Sequence, residues 1–202
     1  TGTSVFSAGA DLKDPDRKGR DEMTLLQQRS AVRLGPDMCQ AWADLEQVTI
    51  AAIEGFCIGG GLALVASCDH RVCSDTAEFR LPEVPLGMNM SWRSVPRLVA
   101  LMGPSRAKQL IMLGRKLNAQ TALDWGLVEK TVPASGLDAA VAQTVDRIMA
   151  NGPTGMRLQK RLMRDWESRS LDDGIKAGID ALTQAYRDGD PPARMAAFLD
   201  KS

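Results

Sequence analysis

Apolar positions run almost unbroken from Val48 to Ile53, a stretch too short for a helix, and predict a buried strand within 47–54. Three consecutive glycines, Gly59 to Gly61, come next, and Leu62, Ala63, Leu64, Val65 and Ala66 then favour a buried helix. Residues 1–12 read as the end of a strand turning into a helix, with a polar, turn-rich segment from Asp14 to Asp21 behind it. Residues 22–45 are helix-like and offer Leu25, Leu26, Val32, Met38, Trp42 and Leu45 to a core, although Gly35-Pro36 must kink or break the run. Residues 68–72 revert to a strand. Helices follow over 91–102, stopped by Gly103, and over 105–113 and 118–126, before a last strand within 127–132 closes at Pro133. Beyond it, Leu137, Ala140, Val141, Thr144, Val145 and Ile148 fall at i, i+3, i+4, i+7, i+8 and i+11, one helical stripe. Leu171, Ile175, Ile179, Leu182 and Tyr186 make another. Between the two stripes lies a basic helix carrying Arg157, Lys160, Arg161 and Arg164, whose expected role is a solvated face.

Composition narrows the functional classes. A chain of 202 residues buries a substantial core, enough for one domain with a helical appendage. Lys plus Arg equals Asp plus Glu at 25 each, and no basic block dominates, which argues against a nucleic-acid binder. Cys39, Cys57, Cys68 and Cys73 contain no Cys-x-x-Cys pair, and with His70 as the single histidine they make no zinc set. They read as reduced thiols of a cytoplasmic protein. No apolar run approaches the ~20 residues that cross a bilayer, and no signal peptide is evident.

Chemistry concentrates at two small-residue turns and one carboxylate. The first N–H groups of a helix have no partner within it, and glycines let an oxygen approach them closely, so the turn at 59–61 suits a negatively charged oxygen. The stretch Phe6-Ser7-Ala8-Gly9-Ala10-Asp11-Leu12-Lys13 also places small residues just before a helical start. Within 77–88, Pro82 fixes its own φ and biases its predecessor toward an extended form, so Glu83 is displayed from a stiff, non-helical segment. Leu81, Pro82, Val84, Pro85 and Leu86 surround it in sequence. A carboxylate held among apolar groups has a raised pKa and carries protons near neutral pH. His70 and Trp125 read as structural. A phosphate-cradling alternative for the triple glycine fails, because no Gly-x-x-x-x-Gly-Lys-Ser/Thr accompanies it.

Ser7-Ala8-Gly9-Ala10-Asp11, Gly59-Gly60-Gly61 and Pro82-Glu83 together resemble the motifs of the crotonase, or enoyl-CoA hydratase/isomerase, superfamily, and the likeness covers essentially the whole chain. It implies an α/β fold: a spiral core of ββα units over 1–133 and a C-terminal helical region over 134–202 that trimerises, giving a homotrimer or a dimer of trimers. It implies that the N–H groups of Ala10 and Gly60 grip the thioester oxygen of an acyl-CoA while Glu83 acts as acid and base. Ala8, Asp11 and Leu12 would contact the CoA, and the segment 14–21 would be a mobile loop beside the acyl pocket. Phe198 and Lys201 match the spacing of a Phe and a Lys that cover the CoA of a neighbouring subunit. CoA being part of the substrate, neither a separate cofactor nor a metal is implied. Family members carry several strands and a helix before the first motif, so a chain beginning at Thr1 reads as a fragment, a processed form or a sequence lacking its start, with the N-terminal part of the core absent.

One departure from the family pattern directs the chemistry. Hydratases of the family place a Glu three residues beyond the middle glycine of the triplet, where this chain has Ala63, and pair it with the Glu of the Pro-Glu to activate water. Glu83 alone remains. One carboxylate still suffices to take a proton from C2 of a 3-enoyl thioester and return it at C4, provided the enolate oxygen is stabilised; losing one such N–H donor costs about 3–4 kcal/mol in comparable sites. Double-bond isomerisation is therefore the expected reaction. Hydration, decarboxylation, carbon–carbon hydrolysis and a catalytically silent acyl-CoA-binding subunit remain the alternatives. A dehalogenase-type nucleophile is disfavoured, because Asn89 stands where such members carry Asp. The segment from Met88 to Trp92 replaces a glycine-rich run common in hydratases and implies an unusual acyl group; within it, Asn89 and Ser91 are expected to cap the following helix.

Overall fold

The computed structural model describes residues 4–11, 23–86, 88–90 and 92–168. In chain order the elements are β1 (Val5–Ser7), α1 (Leu25–Ala31), α2 (Leu34–Asp44), β2 (Ile50–Ile53), β3 (Phe56–Ile58) and α3 (Gly60–Val65). They continue with β4 (His70–Ser74), β5 (Glu78–Arg80), α4 (Ser94–Met102), α5 (Pro104–Ile111) and β6 (Leu117–Asn118). Last come α6 (Ala119–Trp125), β7 (Lys130–Val132), α7 (Leu137–Met149) and α8 (Pro153–Ser168). Among these residues no helix is long and apolar enough to cross a membrane.

The strands form two sheets, ordered β1-β3-β5-β6 and β2-β4-β7, so the chain from β1 to β5 crosses from one sheet to the other with every strand. All pairings are parallel except β5 with β6. This α/β architecture explains the unbroken apolar run of β2. Successive strand residues point to opposite faces, and both faces of β2 are covered: Ala51 and Ile53 join the main core with Leu62, Phe79, Leu98 and Leu127, while Ala52 joins Val72, Leu137 and Ala140 in a second cluster. Buried parallel strands read as continuous hydrophobic segments for this reason.

Local chemistry sets both ends of α6. Asn118 Oδ1 accepts a hydrogen bond from Thr121 N at 2.8 Å, and Gly126, with φ +82°, closes the other end of α6. The helix expected over 22–45 breaks at Val32-Arg33, just ahead of Gly35-Pro36. Pro36 thus lies in the first turn of α2, where its missing N–H leaves nothing unpaired. Helix α4 begins at Ser94, preceded by the left-handed Arg93 with no side-chain cap, so the capping role expected of Asn89 is not realised at this helix start. Ser91 itself is outside the described residues. Strands β3, β5 and β6 are additions to the sequence reading.

The described residues fall into two compact units, one drawn from Thr1–Leu45 and Thr49–Val141, the other from Glu46–Val48 and Ala142–Ser202. In the second, Lys160 Nζ donates to the Gln47 carbonyl at 2.7 Å, and Arg157 stands 3.8 Å from Glu46. The basic face of α8 is therefore partnered in part rather than solvated throughout. The stripe from Leu171 to Tyr186, the segment 14–21, and Leu12, Phe198 and Lys201 lie outside the described residues.

Candidate active site

The first unit contains a cavity of about 690 Å³ lined by Ala8, Gly9, Ala10, Asp11, Gly59, Gly60 and Glu83 from the sequence motifs, and by apolar groups including Met38, Leu86, Met90 and Trp92. Residues about fifty positions apart meet here because β1 and β3 are neighbours in one sheet, and each ends in a glycine turn. Glycine is required at both turns by close approach. Gly9 takes φ +90°, and a Cβ on it would sit 3.1 Å from the Ile58 carbonyl oxygen and 3.7 Å from Gly60 N. A Cβ on Gly61 would strike Ser7, whose Oγ in turn accepts a hydrogen bond from Gly9 N at 3.2 Å.

Helix α3 starts directly from β3. Gly59 N donates to the Arg80 carbonyl at 3.0 Å, and Gly59 O accepts from Leu62 N and Ala63 N. The N–H of Gly60, the first residue of the helix, has no acceptor inside it. Ala10 is exposed at the opposite turn.

Glu83 enters from the connection after β5. Its carbonyl oxygen accepts from Leu86 N at 3.0 Å and Met88 N at 2.8 Å, which fixes the backbone beneath the side chain. The carboxylate reaches Gly59, where a Cβ would lie 3.0 Å from Oε1. Oε2 is buried and has no hydrogen-bond partner among the described residues. Desolvation therefore raises the pKa of Glu83, opposed by a weaker hydrogen bond from its own backbone. A carboxylate in this setting is a stronger base than an exposed one, better suited to take a proton from carbon.

Ala63 is fully buried and lies outside the cavity lining, so α3 contributes no carboxylate. Asp11, exposed, is the other acidic residue along the described lining. Asn89 lines the cavity, as does Trp92, which the sequence reading includes in the segment shaping the acyl pocket without giving it a role of its own. Its indole lies between two glycines, Gly35 and Gly60, at which any Cβ would overlap the ring. A Trp beside two helix-starting glycines is a weak signal in sequence, because those glycines are far from it along the chain.

Other titratable groups serve the framework. His70 Nδ1 lies 3.1 Å from Glu129 Oε2, and the buried Arg71 guanidinium pairs with Glu129 Oε1. The hydrogen bond to Glu129 raises the pKa of His70 against the opposing effect of burial. Burial alone would raise Glu129 as well, but His70 and Arg71 hold it below the usual carboxylate range. None of the four cysteines forms a disulfide among the described residues; burial pushes the thiols of Cys39 and Cys57 up and that of Cys73 to about 11. No group of His, Cys, Asp and Glu among the described residues is placed to hold a metal. Trp125 packs against the core, with Arg115 4.8 Å above its ring.

Comparison with known proteins places these features in context. The family model described as enoyl-CoA hydratase/isomerase matches residues 1–202. A short-chain-enoyl-CoA hydratase of Clostridium acetobutylicum is 32% identical over 99% of this chain and 75% of its own length. A crotonyl-CoA hydratase of Syntrophomonas wolfei is 31% identical, with coverage of 100% and 75%. Among solved structures, an enoyl-CoA hydratase from Bacillus anthracis superposes with a TM-score of 0.88 at 33% identity, covering all of this chain and 76% of that one.

Proposed function

Because the chain belongs to the enoyl-CoA hydratase/isomerase family, we propose that it acts on an acyl-CoA thioester and moves a carbon–carbon double bond, with Glu83 as the proton carrier. One observation carries this reading: the cavity receives a half-buried carboxylate from Glu83, while Ala63, one turn into α3, is apolar, buried and not among the residues that line it.

The proposed reaction consists of two proton transfers. The thioester carbonyl oxygen sits between the N–H groups of Ala10 and Gly60, and the Glu83 carboxylate faces C2. Glu83 takes a proton from C2 of a 3-enoyl thioester, and the electron pair moves into the carbonyl as the enolate oxygen gains charge. Two fixed N–H donors stabilise that charge without reorganising. Glu83 then returns the proton at C4, and the double bond settles between C2 and C3. No water is consumed, so no second carboxylate is needed.

A second reading, addition of water to a 2-enoyl-CoA, is favoured by the names of the hydratases that resemble this chain. Ala63 opposes it, since alanine neither holds water nor moves a proton. Product analysis separates the two. Incubation with a 3-enoyl-CoA is expected to raise the ultraviolet absorbance of a conjugated thioester with no change in mass, and Glu83→Gln is expected to lower the rate by at least ~10²-fold. Equal rates for wild type and Glu83→Gln would refute the proposal; a product heavier by one water would favour hydration; no turnover with tight binding would favour a silent acyl-CoA-binding subunit.

A further inference from the structure

We infer that Trp92 determines the chemistry of the cavity by filling the space that a side chain longer than alanine would need at position 63, an inference that deepens the one-carboxylate reading above and rests on it. The indole is clamped from two sides. At Gly35, in the first turn of α2, a Cβ would overlap Cδ2 and Cε2 of the ring and lie 2.6 Å from Nε1. At Gly60, the first residue of α3, a Cβ would overlap Cζ3 and Cη2 and lie 2.9 Å from Cε3. The pyrrole side of the indole therefore rests on one helix start and its benzo edge on the other.

Ala63 follows Gly60 by three residues, so the two share a helix face. Helical side chains lean toward the N-terminus and cover the turn before their own Cα. A long side chain at 63 would thus extend over Gly60, where the benzo edge of Trp92 already lies. Ala63 is 0% exposed, which leaves no alternative direction into solvent. Alanine at 63 and tryptophan at 92 form a size-matched pair. The ring lines the cavity alongside Met90 and Met38.

The test uses the full chain and two independent readouts. The first is a thermal double-mutant cycle with Ala63→Met, which adds length without charge, in the wild-type and Trp92→Ala backgrounds. Ala63→Met is expected to lower Tm by about 3 °C or more in the presence of Trp92 than in its absence; a variant that folds only when Trp92 is also truncated counts the same way. The second readout is addition of water to a 2-enoyl-CoA, with hydroxyl to C3 and a proton to C2. Ala63→Glu alone is expected to gain none, and Ala63→Glu combined with Trp92→Ala is expected to exceed either single variant at least ~10-fold. Equal Tm losses in both backgrounds, hydration by Ala63→Glu alone matching the double variant, or a folded double variant that adds no water would each overturn the inference. The isomerase reading fails separately: a wild type that never conjugates a 3-enoyl-CoA contradicts that reading, while thermal coupling between positions 63 and 92 still decides the steric pairing.

Discussion

The carboxylate of Glu83 stands directly against the backbone of Gly59, so close that a Cβ on Gly59 would be 3.0 Å from Oε1. Gly59 also holds φ +57° with ψ −122°, a combination that side-chain-bearing residues avoid. Gly59→Ala therefore strains the turn and pushes Glu83 away at once. The expected outcome is a loss of ~1–3 kcal/mol in stability together with a fall in kcat larger than any change in KM, checked by thermal melts and steady-state kinetics on one preparation.

Glu83 itself is expected to weaken the fold at neutral pH. Its native pKa is raised by desolvation, so as pH climbs the unfolded chain releases this proton first, and the native state then binds more protons than the unfolded one. Stability falls with pH between the ordinary Glu value of about 4.3 and the raised native value, and the deficit persists above it. Glu83→Gln removes the titration. The variant should melt about 2–4 °C above wild type at pH 8, and the gap should close as pH approaches 4.

Gly35→Ala provides a test in which the sign decides. Inside a helix this change normally stabilises by up to ~1 kcal/mol. Here the new methyl would overlap the Trp92 ring, and forced overpacking costs about 1–3 kcal/mol. The variant is expected to melt below wild type. Combining it with Trp92→Ala should restore the ordinary helix preference, so that Gly35→Ala then raises Tm.

The His70–Glu129 pair gives a pH dependence of opposite sense. The pKa of His70 is raised by its hydrogen bond to Glu129, so its contribution is complete below the ordinary His value of about 6.5 and disappears as pH rises through the native value. His70 is 41% exposed at its side chain, and solvent screening limits the effect to under about 1 kcal/mol. His70→Gln is expected to melt lower than wild type at pH 5.5 and to match it at pH 8.5, with the difference shrinking in high salt.

Features written in short-range chemistry were legible in the sequence. Asn118 and Gly126 bracket α6 as capping residues do, and the apolar run at 48–53 contains β2. The motifs around Ala10, Gly60 and Glu83 identified residues that the fold gathers around one cavity. Features that depend on distant neighbours were not legible. Strand β3 is three residues between Gly55 and Gly59, too short to show a period, and exists because β1 and β5 flank it. The interruption expected at Gly35-Pro36 is present, but it falls at Val32-Arg33, leaving Pro36 in the first turn of α2. The position of Trp92 depends on Gly35, more than fifty positions earlier, and no local pattern encodes that meeting.

The central claim is that one carboxylate exchanges a proton with the carbon beside a thioester whose oxygen is held by two main-chain N–H groups. It is tested most directly by incubating the protein with a saturated acyl-CoA in deuterated water and following hydrogen at C2 by magnetic resonance, since this needs no double bond and no added water. The account predicts deuterium entering C2 with wild type and at least ~10²-fold more slowly with Glu83→Gln. Incorporation at the same rate in both, or none in a wild type shown to bind the thioester, would contradict it.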